Sequence, residues 1–118
     1  LYQTMAEWLH RGPKDRTITP SMRKLVTIVT ESQLERELTR DLESHGILGY
    51  TITDARGRGA HGQRASSWEL SGNIRIELIC EAAHAAELMA YLQTHYYQHY
   101  AMVLYAQDVE VLRPDKFR

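Results

Sequence analysis

The stretch LVTIVTESQLERELTRDLESHG, Leu25 to Gly46, carries two hydrophobic periods in succession, and the change from one to the other decides the fold. Leu25 to Val29 is apolar and β-branched with only Thr27 interrupting it, which suits a central strand covered on both faces. Ser32-Gln33-Leu34-Glu35 then supplies a capping box, in which a serine and a glutamate three residues later satisfy each other's free amides. Leu34, Leu38 and Leu42 recur at helical spacing, and His45-Gly46 closes the helix, because glycine adopts the left-handed backbone that ends one. A strand therefore runs directly into an amphipathic helix.

Outward from this unit the pattern repeats with one duplication. Leu48 to Asp54, LGYTITD, reads as a second strand. Asn73 to Cys80, NIRIELIC, is a third, with Ile74, Ile76 and Leu78 alternating against Asn73, Arg75 and Glu77. Ala85, Leu88, Met89, Leu92 and Tyr96 mark a second helix, after which AMVLYA returns to strand character and DVEVL extends it or pairs with it. The order βαββαβ predicts an α+β, ferredoxin-like sandwich: one antiparallel sheet with both helices on one face. If strands one and three are central, the second face of the sheet is too apolar to suit water, so oligomerisation is implied.

Between strands two and three lies DARGRGAHGQRASSWELSGN, Asp54 to Asn73, which has neither a strand nor a helix period. Long patternless connections are uncommon in compact domains and are usually functional loops or disorder. Gly57 to Gly62, GRGAHG, formally matches the dinucleotide-binding glycine pattern. The Rossmann reading fails, since QRASSWELSGN has no apolar periodicity for the required helix and the strand before it does not open a parallel βαβ unit. What survives is a nest of glycine amides for an anion, with Arg56, Arg58 and Arg64 beside it, set against a merely solvated loop.

Composition bounds the rest. The chain has 118 residues, is 43% hydrophobic and 25% charged, and carries a formal charge of −1, which fits one soluble domain. Near-neutral charge argues against nucleic acid as a partner. No apolar run approaches the roughly 20 residues of a membrane span, and Cys80 stands alone, so the expectation is a cytoplasmic, non-membrane protein without disulfides. Residues 1–21 read as an N-terminal extension or expression remnant before the domain at 22–118, with Leu1, Met5, Trp8 and Leu9 on one face of a short helix ended by Gly12-Pro13.

Other side chains carry weaker chemical signals. His95 and His99 share a helical face if the second helix reaches that far, but two ligands make no metal site, and none is expected. Tyr96, Tyr97 and Tyr100 suit packing with wet polar tips, and a tyrosine there could also line a base pocket. Arg75 and Glu77 fit a paired strand face, and nothing resembles a nucleophile with its base.

The runs KLVTIVTE, GYTITDARGRGAHGQR, NIRIELIC and YYQHYAMVLYAQDVEVL together resemble the PII-like signalling proteins, most closely the branch linked to bicarbonate transport and carboxysomes. The likeness covers Met22 to Phe117. It implies a homotrimer with sheets facing its interior, adenine nucleotides (ADP, AMP or ATP) in clefts between subunits, and a T-loop of about residues 55–72 that ligand orders as a switch toward a target protein. Bicarbonate is implied as a second ligand, and a bicarbonate transporter or carboxysome-linked protein as the target. Carried over by position, the nucleotide residues are Gly57, Arg58, Gly59, Gly62, Arg64, Tyr100 and Arg113, with Arg58 and Arg64 also meeting bicarbonate. The chain departs from the nitrogen-sensing members: THYYQHYAM replaces their glycine-rich phosphate-binding B-loop, their modified T-loop tyrosine has no clear counterpart, and the C-terminal cysteine pair of some bicarbonate-transporter regulators is missing. The expected function is therefore a non-enzymatic sensor. The competing reading is a weak nucleotide phosphohydrolase, for which Asp54 and Glu69 are the loop carboxylates that could hold a cation; a metal-binding trimer of similar fold ranks third.

Overall fold

In the computed structural model, residues 20–58 and 72–118 are described. Strand β1, Ser21–Glu31, leads through a 3₁₀ turn, Ser32–Leu34, into helix α1, Glu35–Ser44. Strand β2 is Thr51–Ala55, β3 is Asn73–Cys80, helix α2 is Ala82–Tyr96, and β4 is Met102–Val111, followed by a 3₁₀ turn at Pro114–Lys116. The sheet order is β2-β3-β1-β4, antiparallel throughout, so the first and third strands are the central pair. This is the βαββαβ, ferredoxin-like arrangement the hydrophobic periods predict.

Alternation along the central strands explains the layering. Val26 and Ile28 of β1 join Ile74, Ile76 and Leu78 of β3 on one face, where they meet Leu34, Leu38 and Leu42 from the first helical segment and Ala85, Leu88, Leu92 and Tyr96 of α2. Each of these is nearly or fully removed from water, which makes this the one apolar core among the described residues. The opposite face carries the other parity: Leu25, Thr27 and Val29, then Arg75, Glu77 and Ile79, then Val103 and Tyr105. Val103 and Tyr105 remain 50% and 41% exposed. Thr27 at the centre of that face is shielded by its cross-strand neighbours Glu77 and Tyr105, and its hydroxyl has no hydrogen-bond partner.

Helix α1 closes as expected. Gly46 takes φ of 86°, its N–H donates to Glu43 O at 3.0 Å, and Ile47 N–H donates to Leu42 O at 2.9 Å, the bonding of a Schellman motif with Ile47 buried beyond it. The start differs from the sequence reading. No side chain caps the helix, and Ser32 begins a 3₁₀ turn instead, its backbone N–H donating to Gly72 O at 3.1 Å across the sheet end. A distant carbonyl has taken the place of the local cap. β2 also starts later than LGYTITD suggests, because it pairs only with β3 residues 73–77; Leu48 is left 82% exposed in the connection before it. AMVLYA and DVEVL merge into a single strand, since β1 is long enough to pair from Met102 to Val111.

The two helices are tied by a partly buried carboxylate. Asp41 of α1 accepts hydrogen bonds from Tyr96 Oη at 2.5 Å and Tyr91 Oη at 3.3 Å, both from α2. Tyr96 is 1% exposed, so its polar tip is not wet as the sequence suggests but satisfied by Asp41. Burial pushes its phenol far above the usual value, and the Asp41 bond and charge push the same way. Burial also raises the Cys80 thiol, which is free. None of the described helices is long and apolar enough to cross a membrane.

Candidate functional site

Three chain segments converge at one end of the sheet. The loop between β2 and β3 leaves after Ala55 and returns at Asn73, and these two residues face each other in register, so the loop base is narrow. Glu31, at the end of β1, lies opposite Asn73 on its other side. Although Glu31 is 6% exposed, its carboxylate is satisfied: Oε1 accepts from Gln33 Nε2 at 2.7 Å and Oε2 from Ala101 N–H at 3.1 Å. Thr30 Oγ1 donates to Ala101 O at 2.8 Å, so the corner between α2 and β4 is fastened to the same end. Ser32 completes the assembly by holding Gly72 O.

Gly72 is needed for its backbone. It sits at φ of 77°, and a Cβ there would lie 3.2 Å from Ser32 Oγ. Between these anchors opens a cleft of about 650 Å³, lined by Ser32, Asp54, Ala55, Arg56, Gly57, Gly72 and Asn73. Arg56 is exposed and forms no ion pair with a carboxylate among the described residues. Asn73 is different in kind: it is 7% exposed, and its Oδ1 is buried with no hydrogen-bond partner. Guanidinium and glycine backbone N–H groups suit a small or phosphorylated anion, whereas the Asn73 amide oxygen, an acceptor, and the Asp54 carboxylate in the same lining do not add to that preference.

Of the residues expected at the site, Gly57 and Arg58 stand exposed at the loop base. Gly59, Gly62 and Arg64 lie outside the described residues, as do Glu69, most of the loop read as a switch, and the N-terminal helix read over the first dozen residues. Tyr100 is at the same end of the sheet, half-buried, its ring 5.9 Å from that of Tyr96. Arg113 is not. It follows Val111, which pairs with Ser21, whereas the site end of β4 pairs Met102 with Thr30. At roughly 3.3 Å per residue, the length of β4 puts about 30 Å between Arg113 and the loop base of its own chain.

Ser32, Gly72 and Asn73 were missed as site residues. Ser32 read as a helix cap and Asn73 as a strand position, and only the cross-strand register brings them to the cleft. Gly72 did leave a signal, a glycine just before a strand in SGN.

His95 Nδ1 donates to Tyr91 O at 2.9 Å, and its ring stacks on Tyr91 at 3.9 Å. Helix α2 ends at Tyr96, so His99 falls in the following turn and does not share a helical face with His95. Among the described residues, no three His, Cys, Asp or Glu side chains are grouped to hold a metal ion.

Comparison with known proteins places this geometry. The family model described as Nitrogen regulatory protein P-II matches residues 23–116. A candidate PII-like signaling protein from Thermus thermophilus is 38% identical, with a TM-score of 0.71 over 84% of this chain and 98% of that one. CPII from Thiomonas intermedia, described as a nitrogen regulatory PII-like protein, is 25% identical, with a TM-score of 0.73 over 86% of this chain and 98% of that one, in a structure bound to ADP, AMP and bicarbonate. A second CPII structure, bound to ADP, AMP and acetate, matches with the same identity and TM-score over 84% of this chain and 97% of that one.

Proposed function

The chain belongs to the nitrogen regulatory protein P-II family, and we propose that it is a cytoplasmic, non-enzymatic sensor that binds ADP or AMP together with bicarbonate. In this reading it reports inorganic-carbon or energy status through its T-loop to a target protein such as a bicarbonate transporter or a carboxysome-linked protein. The observation that carries the reading is the cleft at the T-loop base, where Arg56, Gly57 and Gly72 offer cationic charge and open backbone beside the loop that must respond. The ligands bound by CPII support the choice of nucleotide and anion.

The same geometry supports a homotrimer. Arg113 lies far along β4 from its own loop base, so it completes a phosphate site only if a neighbouring copy supplies it. The sheet face bearing Leu25, Val29, Val103 and Tyr105 then packs inside a homotrimer, which would cover its apolar surface. Tyr100 and the T-loop residues Gly59, Gly62 and Arg64 complete the proposed nucleotide contacts, with Arg58 and Arg64 on bicarbonate.

Calorimetry with adenosine, AMP, ADP and ATP, each with and without bicarbonate, tests the reading. Arg64→Ala should weaken the phosphorylated ligands in proportion to phosphate number, since a charge-assisted hydrogen bond contributes about 1.5 to 3 kcal/mol. Unaltered ADP binding by that variant removes the phosphate role of Arg64. Steady hydrolysis of ATP with a metal requirement would replace the sensor by the phosphohydrolase.

A further inference from the structure

We propose that Glu31 is a positioning residue for nucleotide binding: it fixes the corner bearing Tyr100 at a set distance from the T-loop base, so that one nucleotide meets the tyrosine with its base and the loop base with its phosphates. This rests on the sensor reading above. Three consecutive residues at the end of β1 hold both sides. Thr30 Oγ1 donates to Ala101 O at 2.8 Å and Glu31 Oε2 accepts from Ala101 N–H at 3.1 Å, so side chains of β1 take both polar groups of the Ala101 backbone. One residue on, Ser32 N–H donates to Gly72 O at 3.1 Å, where the loop returns. Ala101 stands just before the first β1–β4 pair at this end, Thr30 with Met102, while Glu31 pairs on its other side with Asn73 of the cleft lining. Two strand spacings, about 10 Å, therefore separate the corner from the returning strand. A nucleotide, with its base at one end and phosphate at the other, bridges that span.

A buried glutamate is a costly way to hold one amide. Glu31 is 6% exposed, and among the described residues it forms no ion pair with a lysine or arginine. Burying a carboxylate without a cation costs free energy that hydrogen bonds return only in part. Its reach explains its use. The side chain extends past the end of the ladder to Ala101 N–H, and Gln33 Nε2, donating to the other oxygen at 2.7 Å, stops the carboxylate from turning. Both oxygens are engaged within the chain, so this role needs no neighbouring copy. Tyr100 lies between this tie and α2: its N–H donates to Tyr96 O at 3.0 Å, and the next residue is the one Glu31 holds. Fixed before and after, its half-buried ring is a rigid surface for a base.

The test separates position from charge. Glu31→Asp keeps the charge but withdraws the carboxylate by one methylene. Glu31→Gln keeps the reach, its amide oxygen accepting from Ala101 while the Gln33 amide turns to accept from the new nitrogen. Adenosine, AMP and ADP are titrated by calorimetry into the parent, these two variants, Tyr100→Leu, and Glu31→Asp combined with Tyr100→Leu, each with the parent's assembly by light scattering. Tyr100→Leu should weaken all three ligands by about fivefold to tenfold, the low end for loss of one base–aromatic stack, since leucine keeps the packing. Glu31→Asp should weaken all three by one common factor of about threefold to tenfold, and Glu31→Gln by less than about twofold. The combined variant should bind no more weakly than Tyr100→Leu, because Glu31 acts through the tyrosine. Parent-like binding by Glu31→Asp, whatever its melting midpoint, would leave Glu31 a fold element and overturn the proposal. So would a Glu31→Gln as weak as Glu31→Asp, a loss that grows with phosphate number, or additive losses in the combined variant. A Tyr100→Leu that binds like the parent also ends the proposal while the nucleotide sensor stands; a parent that binds neither ADP nor AMP ends the sensor reading itself.

Discussion

Replacing Gly72 by alanine puts a Cβ where backbone and packing both oppose it. At φ of 77° a residue with a Cβ is disfavoured by about 1–2 kcal/mol. The new methyl would meet Ser32 Oγ at 3.2 Å, so the hydroxyl must give way by a few tenths of an ångström at the point where Ser32 N–H holds Gly72 O. Against this, alanine restricts the unfolded chain and returns about 0.4–1 kcal/mol. The net loss is about 1 kcal/mol, which at a urea slope of roughly 2 kcal/mol/M moves the unfolding midpoint down by about 0.5 M. Gly49→Ala is the internal control, because Gly49 lies outside the positive-φ range and a Cβ there meets nothing within 4 Å. It should be neutral or stabilise by up to about 1 kcal/mol. Both variants are unfolded in urea at one fixed protomer concentration, since subunit association makes the midpoint concentration-dependent. If Gly72→Ala is as stable as Gly49→Ala, the exit of the T-loop is not held in the left-handed conformation and the reasoning about its anchor is wrong.

Tyr96→Phe should cost about 1.5 kcal/mol, the lower end for a bond to a carboxylate, because Asp41 keeps Tyr91 and is half-buried; an unchanged urea midpoint would refute the helix tie. The phenol is held above its usual value of about 10, so its contribution is complete below that pH and falls as pH rises past it; melting curves of the parent should decline above about pH 10, less steeply in Tyr96→Phe. Light scattering at micromolar protomer should report a trimer, and a monomer would remove the intersubunit cleft. Arg58→Ala and Arg113→Ala should each weaken ADP binding, yet subunits of the two variants refolded together should restore about one cleft in four if each cleft draws on two chains. No recovery in the mixture places the two arginines in one chain's site or in none.

The sequence alone determined the elements and their order, because strand and helix periods are local properties written over a few consecutive residues: Ile74, Ile76 and Leu78 for one, Leu34, Leu38 and Leu42 for the other. It also marked the glycine and arginine loop as the place to look, since those residue types are informative without a partner. The cleft itself was decided by register. Ser32 has the local pattern of a cap and becomes an anchor for Gly72 only because β1 and β3 end side by side. Asn73 reads as an ordinary strand position until Glu31 and Ala55 are placed on either side of it and its amide oxygen is found without a donor. Tyr96 finds Asp41 across 55 residues of chain, a pairing set by how α1 and α2 pack against one sheet face. Arg113 shows the converse: the resemblance puts it in the nucleotide site, and the antiparallel ladder carries it to the far end of its own sheet. Long-range pairing depends on which strands come together and in what register, and that is set by burial summed over the whole core, which no short stretch of sequence contains.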